Sequence, residues 1–288
     1  FGNETAGYIF YKKVTPLDGT WSLPDNVKSI VEGALEGMTG SGKITGIALP
    51  KAPLVSPAEL SDMLSDPLIT SLTVYGNTPV SDMTGGVLEN IKSVKIIELA
   101  AADSIADGFI KGWSNVSAVT ILSNVKRIGA GAFDGTAWLE DRISQATTGT
   151  GYVLASDPGI LIKYVGSSAS VTLPGYFKGI AADAFAGNGN ITAVDLSGTK
   201  VTEIPGGAFK NCVSLTEVRL PAGIVSIGAG AFDNTAEGFA VAFTATDPSS
   251  LTVASGVFDS VSEIRVPAEA TEKYRELLPE SLDKIVGV

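Results

Sequence analysis

The chain has 288 residues, with 20 Lys plus Arg against 31 Asp plus Glu for a net charge of −11, no histidine and one cysteine, Cys212. Without histidine there is no Ser-His-Asp or Cys-His relay and no imidazole metal ligand, and one cysteine cannot make an intramolecular disulfide, a CxxC redox pair or a thiolate zinc cage. The acidic balance argues against nucleic acid and anionic membrane as partners, because both require clustered Lys and Arg, whereas 44% hydrophobic and 18% charged residues describe a chain that folds.

Along the chain, residues 1–20 come first and carry no repeat. Tyr8 to Val14 is β-prone, so this stretch is expected to be an N-terminal β cap or a linker remnant. It has no basic segment followed by an apolar one, and no run of about 20 apolar residues occurs anywhere, so neither a signal peptide nor a membrane-spanning helix is expected in this chain.

From Trp21 onward the pattern apolar-x-x-apolar-x-apolar recurs. Its copies are Ile44-Ile47-Leu49, Ile69-Leu72-Val74, Val94-Ile97-Leu99, Val116-Val119-Ile121, Ile191-Val194-Leu196, Leu215-Val218-Leu220 and Val261-Ile264-Val266, with weaker copies at Trp21-Leu23-Pro24, Val171-Leu173 and Phe239-Val241-Phe243. The rest of each unit is also spaced. Seven residues separate Leu220 from Ile227, Ile121 from Ile128 and Leu173 from Ile180; twelve separate Leu220 from Phe232, Ile121 from Phe133 and Leu173 from Phe185. Ten units of roughly 21 to 26 residues lie in the range of leucine-rich-repeat solenoids. The triplet reads as a short strand with alternate side chains inward, paired in parallel with its neighbours, and the Ala-Phe pair as a plug between coils. The fold class expected is therefore a right-handed, mostly β repeat solenoid with one parallel sheet of ten strands, about 45 Å long at 4.8 Å per strand.

Two segments break the repeat. From Ile121 to Leu173 is 52 residues, about twice the period, and the β-prone runs Gly151–Ala155 and Gly159–Val165 flank Ser156-Asp157-Pro158. They predict a hairpin projecting from the solenoid, with 134–150 as an irregular lead-in. Near the end, Tyr274, Leu277, Leu278 and Leu282 recur at helical spacing. The expected organisation is thus a cap at 1–20, a solenoid at 21–266 with an insertion near 134–170, and a C-terminal cap with a short helix at 267–288.

The form Leu215-x-x-Val218-x-Leu220-Pro221, through Ile227-Gly228 to Ala231-Phe232, resembles the BspA-like leucine-rich repeats of bacterial surface proteins, with Asn211-Cys212 where that family often has Asn or Cys. Val266-Pro267-Ala268 followed by Tyr274 resembles the closing segment of such arrays. Leu35 and Leu88 depart from the pattern by replacing Phe. The resemblance covers roughly residues 20 to 275. It implies an exported, surface-displayed or lipid-anchored protein that binds a host or matrix protein.

The residues themselves offer little chemistry. Ile128-Gly-Ala-Gly-Ala-Phe and Ile227-Gly-Ala-Gly-Ala-Phe lack the third glycine of a dinucleotide loop and the Lys-Ser/Thr of a P-loop, and read as solenoid turns. Cys212, with no histidine to activate it, reads as core. Glu98, Asp195, Glu217 and Glu263 could furnish a carboxylate pair for a hydrolase, but adjacent strands bring acids together on any such sheet, so a solvated face is the simpler reading. Asp134, Asp157 and Asp247 stand in turns without an Asp-x-Asp-x-Asp run, so no metal site is expected, and no cofactor.

The outward strand positions are expected to be Ser22, Ala48, Thr73, Glu98, Thr120, Thr172, Asp195, Arg219, Ala242 and Arg265. They lack an aromatic platform for sugars, which favours a protein partner. The candidate binding residues are Asp195, Glu217, Arg219, Glu263 and Arg265 on the C-terminal strands, with Tyr152 and Tyr164 of the hairpin as a second contact. The expected protein is a monomeric, non-catalytic binding module; the alternatives are a carboxylate-dependent hydrolase and a passive structural spacer.

Overall fold

A short strand with alternating apolar side chains can satisfy its backbone only through a neighbour on each side, and can hide its inward face only against the rest of its own and adjacent coils. The computed structural model describes residues 19–23, 25, 27–29, 44–50, 53–75, 80, 83, 90–97, 104–121, 125–155 and 159–288. They fall into two compact units, the first running to Val125 and including Gly131–Arg142, the second comprising Lys126–Ala130 and Ile143–Val288. The segment Tyr8–Val14, with Leu35, Leu88, Glu98 and Asp157, lies outside the described residues.

In the first unit, β1 (Thr20–Ser22), β2 (Gly46–Ala48), β3 (Ser71–Tyr75), β4 (Ser93–Ile97) and β6 (Ala118–Ile121) form a parallel sheet in the order β1-β2-β3-β4-β6, and β5 (Ser104–Ile105) lies between β4 and β6 in sequence. Trp21, Ile47, Leu72, Val94 and Val119 stand in register and are buried. The register corrects the reading of β4. Ile91, Val94 and Ile96 face inward, where Val94, Ile97 and Leu99 were expected; Val94 pairs with Leu72 and Ile96 with Val74. Both triplets satisfy apolar-x-x-apolar-x-apolar, and only the pairing decides between them.

The first unit also contains α1 (Pro57–Leu64), which follows a capping box: the Ser56 hydroxyl accepts from the Glu59 N–H and the Glu59 carboxylate accepts from the Ser56 N–H. The expected irregular lead-in contains α2 (Ala137–Thr147), which begins where the buried Thr136 hydroxyl accepts from the Leu139 N–H at 3.2 Å. Trp138 in its first turn meets Phe133 edge-on, with ring centroids 5.1 Å apart.

The second unit begins with β7 (Arg127–Ile128), and its main sheet is also parallel, in the order β10 (Ser170–Thr172), β12 (Ala193–Asp195), β14 (Glu217–Leu220), β16 (Ala240–Phe243), β18 (Glu263–Val266) and β19 (Ile285–Gly287). All ten repeat strands are therefore present. They are divided between a five-stranded and a six-stranded sheet, not joined in a single sheet of ten. The returning side forms two smaller sheets, one of β13 (Glu203–Ile204), β15 (Ser226–Ile227) and β17 (Thr252–Val253), the other of β11 (Gly179–Ile180), β9 (Ile160–Tyr164) and β8 (Tyr152–Leu154).

That last sheet corrects the projecting hairpin. β8 and β9 are antiparallel, but β9 also pairs in parallel with β11, and four of its five residues are buried. The Tyr164 N–H donates to the Ala184 carbonyl at 2.8 Å, as the Phe185 N–H does to Ala208 at 3.0 Å and the Phe209 N–H to Ala231 at 2.9 Å. Tyr164 therefore occupies a plug position. Ring centroids run Tyr164 to Phe185 at 5.7 Å, Phe185 to Phe209 at 5.0 Å and Phe209 to Phe232 at 5.8 Å, with Phe185, Phe209 and Phe232 nearly parallel. All five expected plugs, Phe133, Phe185, Phe209, Phe232 and Phe258, are buried.

After Phe185 and Phe209 the chain turns through a left-handed residue that donates its N–H to the next coil: Gly187 (φ 73°) to the Lys210 carbonyl and Asn211 (φ 62°) to the Asp233 carbonyl. Asparagine tolerates this conformation better than other side chains. Asn234 (φ 55°) follows, and its amide nitrogen donates to the Asn211 side-chain oxygen at 2.9 Å. Next to Asn211, the Cys212 thiol is fully buried and donates to the Phe185 carbonyl, 3.1 Å away. Burial pushes its pKa up to about 11.

After β18 come a 3-10 turn at Ala268–Ala270, α3 (Thr271–Leu277), a second 3-10 segment at Pro279–Lys284 and β19. The helix is shorter than the apolar spacing predicts, and Leu282 is exposed. The strand β19, which the pattern does not announce, pairs in parallel with β18. Tyr274 is fully buried, with its hydroxyl donating to the Ala245 carbonyl at 3.1 Å and its ring 5.0 Å from Phe243.

Two measurements check this packing. Phe209→Ala opens a ring-sized void between Phe185 and Phe232 and should destabilise the protein by about 3 to 5 kcal/mol in urea unfolding. Because only the thiolate reacts, Cys212 should stay unmodified by a thiol reagent at pH 8 in the folded protein and react promptly in urea.

Candidate binding face

The pairing registers fix which side chains share the outer strand face. In the first unit one row is Ser22, Ala48, Thr73, Lys95 and Thr120. The shifted β4 register puts the exposed Lys95 where Glu98 was expected, so a cation stands among hydroxyls and small residues.

In the second unit the row Thr172, Asp195, Arg219, Ala242, Arg265 and Val286 runs beside the row Ser170, Ala193, Glu217, Ala240 and Glu263. Four of the predicted site residues meet here. Arg265 donates through Nη1 to Glu217 Oε2 at 2.6 Å and through Nε to Glu263 Oε2 at 2.9 Å, and Arg219 Nη2 lies 3.7 Å from Glu217 Oε1. Glu217 is two strands away from Arg265, about 9.6 Å at the usual strand spacing. The guanidinium reaches it because the intervening strand presents only Ala240 and Ala242, which are themselves buried. Hydrogen bonding to Glu263, against the opposing effect of burial and with further help from the Glu217 charge, raises the Arg265 pKa above its ordinary value.

The network holds two cations and two anions and is neutral as a whole. Its charged groups remain about one-third to one-half exposed. Arg265 also stands between Glu217 and Glu263, in the space where a hydrolase would hold a scissile bond. The fifth predicted residue, Asp195, is not part of the network. Its Oδ1 accepts from the Ser197 N–H at 2.8 Å and closes an Asx turn where β12 ends.

The hairpin tyrosines fare differently. Tyr164, 5% exposed, is a core plug and leaves the predicted surface. Tyr152 is half-buried, its hydroxyl donates to the Thr172 carbonyl at 3.3 Å and its ring lies 5.5 Å edge-on from Phe177. Burial, followed by the neighbouring Tyr164 and Tyr176, raises its pKa. The exposed ring beside it is Tyr176, 55% exposed and stacked 4.7 Å from Phe177, which the sequence reading missed. Tyr176 follows Leu173-Pro174-Gly175 where Gly223 follows Leu220-Pro221-Ala222, and an aromatic in place of glycine was the available signal. Among the described residues no group of three or more His, Cys, Asp or Glu is placed to hold a metal ion, and no helix is long and apolar enough to cross a membrane.

The family model described as BspA type leucine rich repeat region matches residues 68–148 and 163–264, in six copies. No curated protein matches the chain. Among solved structures, a leucine rich cell surface protein from Faecalibacterium prausnitzii is 15% identical over 89% of this chain and 98% of its own, with a TM-score of 0.32. The pneumococcal vaccine antigen PcpA is 13% identical over 100% of this chain and 82% of its own, with a TM-score of 0.35. A leucine-rich repeat protein from Bacteroides ovatus is 18% identical over 69% of this chain and 53% of its own, with a TM-score of 0.28.

An exposed ion-pair network positions side chains more than it stabilises a fold. Arg265→Ala should therefore lower the unfolding free energy by no more than about 1 kcal/mol, measured in the same urea titration as the plug variant.

Proposed function

Because this chain belongs to the BspA type leucine rich repeat family, we propose that it is a non-catalytic binding module, displayed at the cell surface or secreted, that takes a protein ligand on the outer strand face of its second unit. The observation that carries this reading is the Arg265–Glu217 bond across Ala240 and Ala242. It ties charges from two strands, across a third that carries none, into one plate over a rigid sheet, so a partner meets fixed donors and acceptors and less side-chain freedom is lost on binding. The neutral sum of the network suits a partner patch of mixed charge over one of a single sign. Arg219 is the group most available to such a partner, being 52% exposed and held by a single 3.7 Å contact.

Surface display and a host or matrix ligand are the finer part of the proposal and rest on the family. The test begins with pull-down from host matrix and cell-surface fractions. Affinity for the captured protein is then compared between wild type and the Arg219→Glu, Arg265→Glu double variant. A fall of tenfold or more is expected, with the protein still folded and its unfolding free energy lowered by no more than about 2 kcal/mol. Unchanged affinity places the site elsewhere.

A further inference from the structure

The returning-side sheet of the second unit ends at β17. Thr252 and Ala254 donate their N–H groups to the Val225 and Ile227 carbonyls, at 2.9 and 3.0 Å. Since backbone groups alternate along an extended strand, Val253 turns its own N–H and C=O away from β15, and neither has a hydrogen-bond partner among the described residues. Val253 lines an open cleft of about 430 Å³ walled by 251–259 and by 277–281. On the strand side, β19 supplies the main sheet with one more strand. On the returning side no described strand follows β17.

We propose that this cleft is a second binding site, which takes an extended, Lys- or Arg-bearing segment of a partner protein as an added strand on β17. It uses residues distinct from the strand-face network. Three observations specify the occupant. The unpaired N–H and C=O of Val253 are the recognition pair of an incoming backbone. A strand residue fills roughly 3.3 by 4.8 by 10 Å, about 160 Å³, so a cleft of about 430 Å³ holds two to three residues, the length of the strands in this sheet. The charged lining residues are Asp259 and Glu280, both exposed, and no Lys or Arg lines the cleft. The ammonium of Lys284 is engaged behind it, donating to the Phe258 and Asp259 carbonyls at 2.7 and 3.1 Å.

The probe is fluorescein-labelled Ac-Lys-Val-Thr-Val-Lys-NH2, titrated into the full chain by anisotropy. Its analogues are N-methylated at alternate residues or carry Glu in place of Lys. Saturable binding below about 1 mM is expected, with at least a tenfold loss for each analogue and for the parent peptide on Glu280→Lys. Amide exchange followed by NMR needs no variant. The Val253 N–H should slow at least tenfold on binding, whereas Thr252 and Ala254, already bonded, stay nearly unchanged. Absence of saturable binding, full-strength binding of the N-methylated peptide or unchanged exchange at Val253 overturns the added strand. Equal binding of the Glu peptide overturns the basic partner.

Discussion

Each described strand has two to five residues, too few to satisfy its backbone or cover its apolar side chains alone, so parallel pairing with the next coil is the interaction on which everything else rests. The plug rings make that pairing specific. A coil placed out of register would pull Phe209 away from Phe185 and Phe232 and leave the Asn211 N–H without the Asp233 carbonyl. The same requirement explains the interrupted stretch. Where the sequence departs from the repeat, β9 still pairs with β11 and Tyr164 still fills the plug column, because the coil that follows needs a ring beneath it. At the end of the array Tyr274 meets the corresponding need, packing on Phe243 and bonding the Ala245 carbonyl.

The outer face inherits its order from the buried one. Because alternate residues are fixed inward by the core, the residues between them are held in rows about 4.8 Å apart and can be exchanged without disturbing the fold. The second unit uses this freedom in a particular way: alanines on β16 let an arginine from β18 reach a glutamate on β14. Larger residues at Ala240 or Ala242 would stand in the path of that bond. The face is flat there because its middle strand is small, and neutral because each arginine has found a glutamate.

The periodic spacing made the ten strands and five phenylalanine plugs legible, since burial on one face imposes period two on each strand and the coil length imposes the longer period. It failed where a pattern fits twice, as in Val94 to Leu99, where two triplets share one spacing and only pairing with β3 selects Val94 and Ile96. It failed again at Tyr164, whose role follows from a backbone bond to Ala184 and not from an Ala-Phe pair. The capping box Ser56-Pro57-Ala58-Glu59 spells out α1, a local signal that the period of the repeat does not carry. Of the predicted binding residues, four share one network, yet their mutual cancellation could not be read from the chain. Sequence gives the row on which a side chain stands, whereas the reach of Arg265 depends on what the strand between leaves empty.

The main sheet of the second unit and the returning sheet that ends at β17 finish differently for a geometric reason. Residues 267–288 meet both a main sheet whose strands have three to four residues and a returning sheet whose strands have two. The segment spends α3 and Tyr274 on the core and returns as β19 beside β18, which satisfies the longer edge and its row of inward side chains. The returning side receives Leu277 to Ser281, which face the edge without forming a strand. A short edge can be left to solvent at little cost, since a single N–H and C=O pair is readily hydrated. That leaves Val253 open among the described residues, and makes β17 an edge of this sheet to which another backbone can be added.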